Sequence, residues 1–180
     1  MGKKIKAAEV TGNFIRNYVE YKQALVRTAG SFTRTSGICT PRTGYNLQAN
    51  FDGVFKSEEN RGGIGVVVRK SKGEVTGAKS AGIFGVDDPF LVEAEAMVSA
   101  IKLALELSFT RVEIEDDALS VVKRMMTLEK DFSPIGNVIE EAKRISALFP
   151  SISFKHVGRK ENEVADCLAK HGLETVEELI

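Results

Sequence analysis

The stretch Asn50-Phe51-Asp52-Gly53, with Gly62-Gly63-Ile64-Gly65-Val66-Val67-Val68 a short distance after it, decides the fold expected for this chain. An apolar run that reaches Asp52-Gly53, followed by a glycine-rich apolar run, predicts two strands joined by a turn. A third run follows the turn residues Lys72-Gly73. Together the three runs predict an antiparallel meander, and they cover residues 47–55, 64–69 and 74–82.

After the meander, the pattern changes to helices that alternate with strands. Residues 91–107 carry apolar side chains at the spacing of one helix face. The later segments are a strand at 112–115, helices at 118–128 and 135–148, a strand at 152–157 and a helix at 161–171. Three antiparallel strands followed by alternating helices and strands predict an α/β fold, a mixed five-stranded sheet flanked by helices.

The composition indicates an intracellular chain with one core. Its 180 residues, 43% of them hydrophobic, suffice for one sizeable core and are few for two. There is no run of eighteen apolar residues and no basic-then-apolar opening segment, so we expect a soluble protein of the cytoplasm or nucleus without a secretory signal. Cys39 and Cys167 are far apart and lack zinc-ligand neighbours, so reduced thiols are expected.

Charge divides the chain into two parts. Residues 1–45 contain eight Lys and Arg against two Glu, a net charge of +6, and residues 46–180 carry −6. We expect 1–45 to be a basic, partly disordered leader or linker and 46–180 to be the folded domain. The basic charge of residues 1–45 could attract nucleic acid or could belong to a merely solvated tail. The acidic body, by contrast, repels phosphate unless cations neutralise it.

Four acidic residues stand in local contexts suited to a metal ion: Asp52, Glu95, Asp117 and Asp166. Each belongs to a different predicted element, so a folded sheet can bring them together. Carboxylates from several elements supply the oxygen ligands that Mg²⁺ prefers, and two such cations can support hydrolysis of a phosphodiester. The set suggests a metal-dependent nuclease.

Two of these choices have direct competitors in the sequence. Glu95 competes with Glu93, because neither falls clear of the apolar arc of the helix, and Glu93 could instead favour the positive N-terminal end of that helix. Asp117 competes with Asp116, and Asp117 could serve only as the N-cap of the following helix. The residue pattern alone leaves both pairs open.

The segment His156-Val157-Gly158-Arg159-Lys160-Glu161-Asn162-Glu163-Val164-Ala165-Asp166 carries a more specific signal. With Phe51-Asp52-Gly53, the following Gly-Gly-Ile-Gly and the helix Ala94-Glu95-Ala96-Met97, it makes the chain resemble the type 1 ribonuclease H family over roughly residues 45–175. The resemblance is closest to the plant and retroelement branch. It implies the ribonuclease H architecture for the sheet.

The same resemblance implies a metal-dependent endonuclease that cuts the RNA strand of RNA–DNA hybrids, with two Mg²⁺ ions, Mn²⁺ as a substitute and no small-molecule cofactor. It favours Glu95 over Glu93 by position and by its separation from Asp117. Asp52 would bridge both ions, Glu95 and Asp117 would complete one side, and Asp166 would hold the ion that activates water. His156 would act as a mobile proton carrier or product-release group.

Some positions depart from the family or have roles outside the metal set. Asn162 shares a helix face with Asp166 and suits a neighbour that orients it, while Gly53 and Arg159 are candidates for support or substrate contact. The stretches that read the hybrid's groove in bacterial relatives are here Pro89-Phe90-Leu91-Val92 and Ala118-Leu119. Weak groove contacts would fit an alternative function, a catalytically weak or inactive nucleic-acid-binding module.

Overall fold

The computed structural model describes residues 47–175 apart from Lys72, Leu128 and Lys130; the predicted leader, 1–45, lies outside the described residues. The strands are β1 (Leu47–Lys56), β2 (Arg61–Lys70), β3 (Val75–Phe84), β4 (Arg111–Asp116) and β5 (Ser151–His156). The helices are α1 (Pro89–Glu106), α2 (Leu119–Met126), α3 (Gly136–Ser146) and α4 (Glu163–Glu174). None of these helices has both the length and the apolar character of a membrane span.

The strands form one mixed sheet in the order β3-β2-β1-β4-β5. β1, β2 and β3 pair antiparallel, as the three leading runs of the sequence predict, and β4 and β5 add to β1 in parallel. In this register Asp52 lies opposite Gly65, and Asn50 lies beside Glu115. The predicted fold class is confirmed.

The larger core fills one face of the sheet. Leu47, Ala49 and Phe51 alternate along β1 and are fully buried beneath α1, in a cluster that also includes apolar residues of α3. Because strand side chains alternate between faces, Asn50 and Asp52 point to the opposite side of the sheet. β1 therefore delivers apolar residues to the core and polar residues to the other face.

On that other face, α4 packs directly against β2 because β2 lacks side chains at two positions. A Cβ at Gly63 would lie 2.0 Å from the backbone oxygen of Ala169, and one at Gly65 would lie 2.0 Å from the backbone oxygen of Ala165. No side chain fits at such distances. The glycines let the helix backbone rest on the strand, and this contact carries α4 to the Asp52 side of β1.

Helix α1 begins two residues earlier than its apolar spacing predicts. The carboxylate of Asp88 accepts a hydrogen bond from the backbone N–H of Phe90 at 2.8 Å, and Pro89 occupies the first helical position. An Asp cap followed by Pro is a favourable helix start, since the proline ring fixes a helical φ and needs no N–H partner. The apolar period could not show this start, because it begins only where the helix meets the core.

We expect Gly65→Ala to destabilise the fold, because the added methyl group collides with the backbone of α4 and not with a movable side chain. A cost of about 1–3 kcal/mol is typical of overpacking, which lowers the melting temperature by roughly 2–4 °C per kcal/mol. Gly77→Ala is the matched control, since its methyl group would meet the Leu107 side chain at 3.0 Å. Equal melting temperatures for the two variants would contradict the argument.

Candidate metal centre

A cavity of about 380 Å³ opens where the ends of β1 and β4 meet the start of α4. Four of its ten lining residues are acids that come from β1, α1, the end of β4 and α4. The lining residues are Asp52, Gly53, Val54, Phe55, Glu93, Asp117, Ala118, Arg159, Asn162 and Asp166. Three predicted metal ligands therefore share one cavity, and the fourth acid there is Glu93.

The parallel pairing of β1 with β4 brings Asp52 and Asp117 together. Asn50 lies beside Glu115 in the register, and Asp52 and Asp117 each follow two residues later. Parallel strands run to the same edge of a sheet, so both carboxylates lie at that edge. Asp166, one turn into α4, reaches the same place because α4 rests on the glycines of β2.

Glu93 reaches the cavity because Gly53 allows α1 to approach β1. A Cβ at Gly53 would lie 2.8 Å from the backbone nitrogen of Glu93, too close for any side chain. The backbone N–H of Gly53 also donates a hydrogen bond to the Glu93 carboxylate. Gly53 thus has a definite structural role, which is to place the beginning of α1 beside Asp52.

The structure does not bring Glu95 to this cavity. Its carboxylate lies near Glu141 of α3 and Lys102 of α1; burial, followed by repulsion from Glu141, raises its pKa, whereas Lys102 lowers it. Residues two apart on a helix point about 200° away from each other, so only one of Glu93 and Glu95 can face Asp52. The choice of Glu95 is corrected to Glu93, because distance along the chain does not report the direction of a side chain.

Asp116 is an acid of the site that the sequence analysis did not select. It is fully buried, and the alternation of β4 places it on the same side as Val112 and Ile114, toward α1. One oxygen each from Asp116, Asp52 and Glu93 lie within 4.8 Å of one another. Strand alternation was the signal that could have identified it.

Asp117 faces the cavity and does not cap the following helix. Ala118 is the N-cap residue of α2, and no side chain caps it. The neighbouring Asp116 instead accepts a hydrogen bond from the Asp117 backbone N–H at 2.8 Å. The carboxylate of Asp117 is thereby left to contact Asn162 at 3.3 Å and Arg159 at 3.5 Å.

Asn162 joins the two strand ends that carry the acids. Its side-chain NH₂ group donates to the backbone oxygen of Phe51 at 2.7 Å and also lies 3.4 Å from Asp116 Oδ1 and 3.3 Å from Asp117 Oδ1. It is almost completely buried at the start of α4. One turn later, the Asp166 carboxylate pairs with Lys170 at 2.7 Å. Asn162 is therefore a bridge between the strands, while Asp166 faces the open side.

His156 and Arg159 lie at the rim. His156 Nε2 is 3.0 Å from the backbone oxygen of Asp117, and since a carbonyl only accepts, this nitrogen is the donor. His156 is exposed and does not line the cavity. Arg159 does line it, and its guanidinium is almost fully exposed beside Asp117. Lys155, the residue before His156, pairs with Glu115 at 3.5 Å and does not line the cavity.

Burial and mutual repulsion make protonation of the inner acids favourable. Burial is the main cause in each case, and it raises the pKa of Asp52 to about 7, that of Glu93 to about 9 and that of Asp116 to about 8. Neighbouring carboxylates add to all three shifts, whereas Lys170 and Arg159 oppose the shift of Asp52 only in part. The cavity therefore favours any cation that can enter it.

The donor set fits a hard divalent cation. Glu93 Oε2 and Asp116 Oδ2 are buried and have no hydrogen-bond partner, so each keeps an acceptor oxygen that the described residues leave unsatisfied. A buried acceptor without a donor is costly unless a cation meets it. Clustered carboxylate oxygens are the ligands of Mg²⁺ and Mn²⁺ in proteins. Asp52, Glu93, Asp116, Asp117 and Asp166 could hold such ions.

Comparisons with known proteins confirm the fold class and the resemblance. A family model described as reverse transcriptase-like matches residues 50–172. Ribonuclease HI of Halobacterium salinarum is 26% identical over 157 residues, covering 87% of this chain and 78% of the relative. The crystal structure of RNase H1 from that archaeon matches with a TM-score of 0.66 at 24% identity, covering 71% of this chain and 97% of that one.

A further solved structure is LC11-RNase H1 in complex with an RNA/DNA hybrid. It matches with a TM-score of 0.63 at 25% identity, and the match covers 71% of this chain and 96% of that chain. The family model, at residues 50–172, includes most of β1, all of β2 to β5 and most of α4.

We expect the metal-free protein to lose stability as the pH rises. The folded pKa values of Asp52, Glu93 and Asp116 lie above the ordinary 3.8–4.5, so the stability that their protonation adds is complete below about pH 4 and is lost as the pH rises through 7–9. Thermal unfolding in EDTA should give a higher melting temperature at pH 6 than at pH 9. Glu93→Gln should flatten this dependence, and an unchanged slope in that variant would contradict it.

Proposed function

Since this chain belongs to the type 1 ribonuclease H family, we propose that it is a metal-dependent endonuclease that hydrolyses the RNA strand of RNA–DNA hybrids. The observation that carries the proposal is the meeting of four acids from four separate elements in one cavity. Acids on an ordinary surface are not collected in this way, because their mutual repulsion and burial oppose folding.

The proposed metal-holding residues are Asp52, Glu93, Asp117 and Asp166, with two Mg²⁺ ions as the natural cofactor and Mn²⁺ as a substitute. Asp52 is the acid that the others share as a neighbour: its carboxylate is repelled by Asp166 and Asp117, and it repels Glu93. When bound, such cations activate a water molecule and stabilise the charge that develops on the leaving oxygen.

The remaining residues position these carboxylates. Asn162 holds the end of β1 at the end of β4, and so fixes the separation of Asp52 from Asp117. This separation matters because displacing a catalytic group by about 1 Å can lower the rate of an enzyme on the order of 100-fold. Gly53 acts on the side of α1, where the absence of a side chain lets the helix bring Glu93 close to Asp52.

His156 and Arg159 are proposed to act on the substrate or on protons at the rim. His156 holds the backbone oxygen of Asp117 through Nε2, and its exposed ring can leave that contact and exchange a proton with water. Arg159 presents an exposed guanidinium at the cavity mouth, where it can pair with a phosphate of the nucleic acid. Recognition of the RNA strand would use its 2′-hydroxyl groups.

One observation favours the second candidate, a module that binds nucleic acid with little or no cleavage. Phe90 lies one turn before Glu93 on α1, and Leu119 follows Ala118 at the start of α2; about half of each side chain is exposed. Apolar side chains beside the cavity cannot form the hydrogen bonds that hold a duplex groove in place. Binding and cleavage therefore need separate measurements.

The decisive experiment compares two substitutions on the same helix, Glu93→Gln and Glu95→Gln, in cleavage of a labelled RNA–DNA hybrid with Mg²⁺ or Mn²⁺. We expect Glu93→Gln to lose on the order of 100-fold or more, as removal of a direct electrostatic contact does. Glu95→Gln should stay close to the parent protein, because its carboxylate faces Lys102 and Glu141. The two variants make the same chemical change two positions apart.

The opposite pattern, with loss only in Glu95→Gln, would exclude this metal site. Hybrid bound in a salt-sensitive way but left intact by the parent protein with either metal would favour the binding module. Duplex DNA and duplex RNA of the same sequence, assayed in parallel, test whether the RNA strand of a hybrid is the preferred target.

A further inference from the structure

Asp116 is the most buried acid of the site, yet it is not among the four residues proposed above to hold metal ions. Its side chain is fully buried, whereas Asp117 beside it is partly exposed at the cavity wall. Strand alternation turns Asp116 toward α1 and Glu93. Asp116 is thus a second carboxylate beside Asp117 at the end of β4, and its burial in the protein interior needs a physical explanation.

The two oxygens of Asp116 have different surroundings. Oδ1 accepts the backbone N–H of Asp117 at 2.8 Å and lies 3.4 Å from the NH₂ group of Asn162. Oδ2 is buried and has no hydrogen-bond partner among the described residues. Oδ1 therefore fixes the backbone where β4 ends. Oδ2 is the oxygen that remains available to a ligand.

The neighbours of Asp116 indicate a cation. One oxygen each from Asp116, Asp52 and Glu93 lie within 4.8 Å of one another, and Glu93 Oε2 is also buried without a partner. Oxygens on opposite sides of an Mg²⁺ ion are roughly 4 Å apart, given bonds of about 2.1 Å. The separations of the three oxygens, at most 4.8 Å, are close to that spacing.

We propose that Asp116 is an additional ligand of the divalent cation on the Glu93 side of the site and binds it through Oδ2. The inner cation is then held by Asp52, Glu93 and Asp116, with Asp117 completing the site from the cavity wall, where Arg159 and Asn162 also contact it. The inference rests on the proposed function only in requiring a bound metal ion. It predicts unusually firm retention of the inner cation.

The test is metal binding by the full chain, measured by calorimetry with Mg²⁺ and with Mn²⁺, and by thermal unfolding with and without metal. Asp116→Asn should weaken the tighter binding at least tenfold and reduce the rise in melting temperature that metal produces. In EDTA at pH 9, the same variant should melt higher than the parent protein, because a buried anion without a partner has been removed.

Glu113→Gln is the matched control. Glu113 lies on the same strand, is also buried and has an unpartnered oxygen, but it lies three residues before Asp116, beside Gln48 of β1, and does not line the cavity. It should also melt higher in EDTA while its metal affinity stays unchanged. Asp116→Ser is the second variant, with the same expectations, in case the asparagine variant does not fold.

Metal affinity within twofold of the parent protein in Asp116→Asn would overturn the proposal, and so would absence of metal binding by the parent protein. A lower melting temperature in EDTA with unchanged affinity would assign Asp116 a purely structural role. Tight metal binding that Asp116→Asn weakens, in a protein that cleaves no hybrid, would uphold this inference while the proposed function fails.

Discussion

The contact between β2 and α4 is the constraint on which the site depends. Gly63 and Gly65 let the backbone of the helix rest directly on the strand, at distances that exclude any side chain. Without that approach, α4 would stand farther from the sheet, and Asp166 and Asn162 would lose their places beside Asp52. A packing feature with no catalytic chemistry of its own therefore fixes the geometry of the carboxylates.

The buried carboxylates, when ionised, lower the free energy of unfolding of the domain that contains them. Burial and like charges raise the pKa values of Asp52, Glu93 and Asp116, so these groups are more stable protonated or beside a cation than as free anions. The apolar cluster beneath α1 and the hydrogen bonds of Asn162 hold them together despite this. Strain concentrated at one strand end, with a regular core around it, is typical of a functional site.

Most of the fold could be predicted from the sequence, because alternating and helical apolar patterns directly reflect burial. The residues of the site were harder to predict from the sequence. Glu93 and Glu95 both lie between buried residues of α1, so periodicity could not choose between them; the close approach at Gly53, a tertiary contact, decides it. Asp116 was different, since the alternation through Val112 and Ile114 already indicated an inward side chain.

The order of the elements along the chain also has a consequence for biosynthesis. Asp52 precedes Asp166 by more than a hundred residues, and at about 5–20 residues per second a ribosome needs roughly 5–20 s to make that interval. Until α4 emerges, Val67 and the glycine face of β2 have no helix to cover them. A nascent chain thus carries an incomplete site and an open sheet, and the carboxylates of the cavity come together only after α4 has docked.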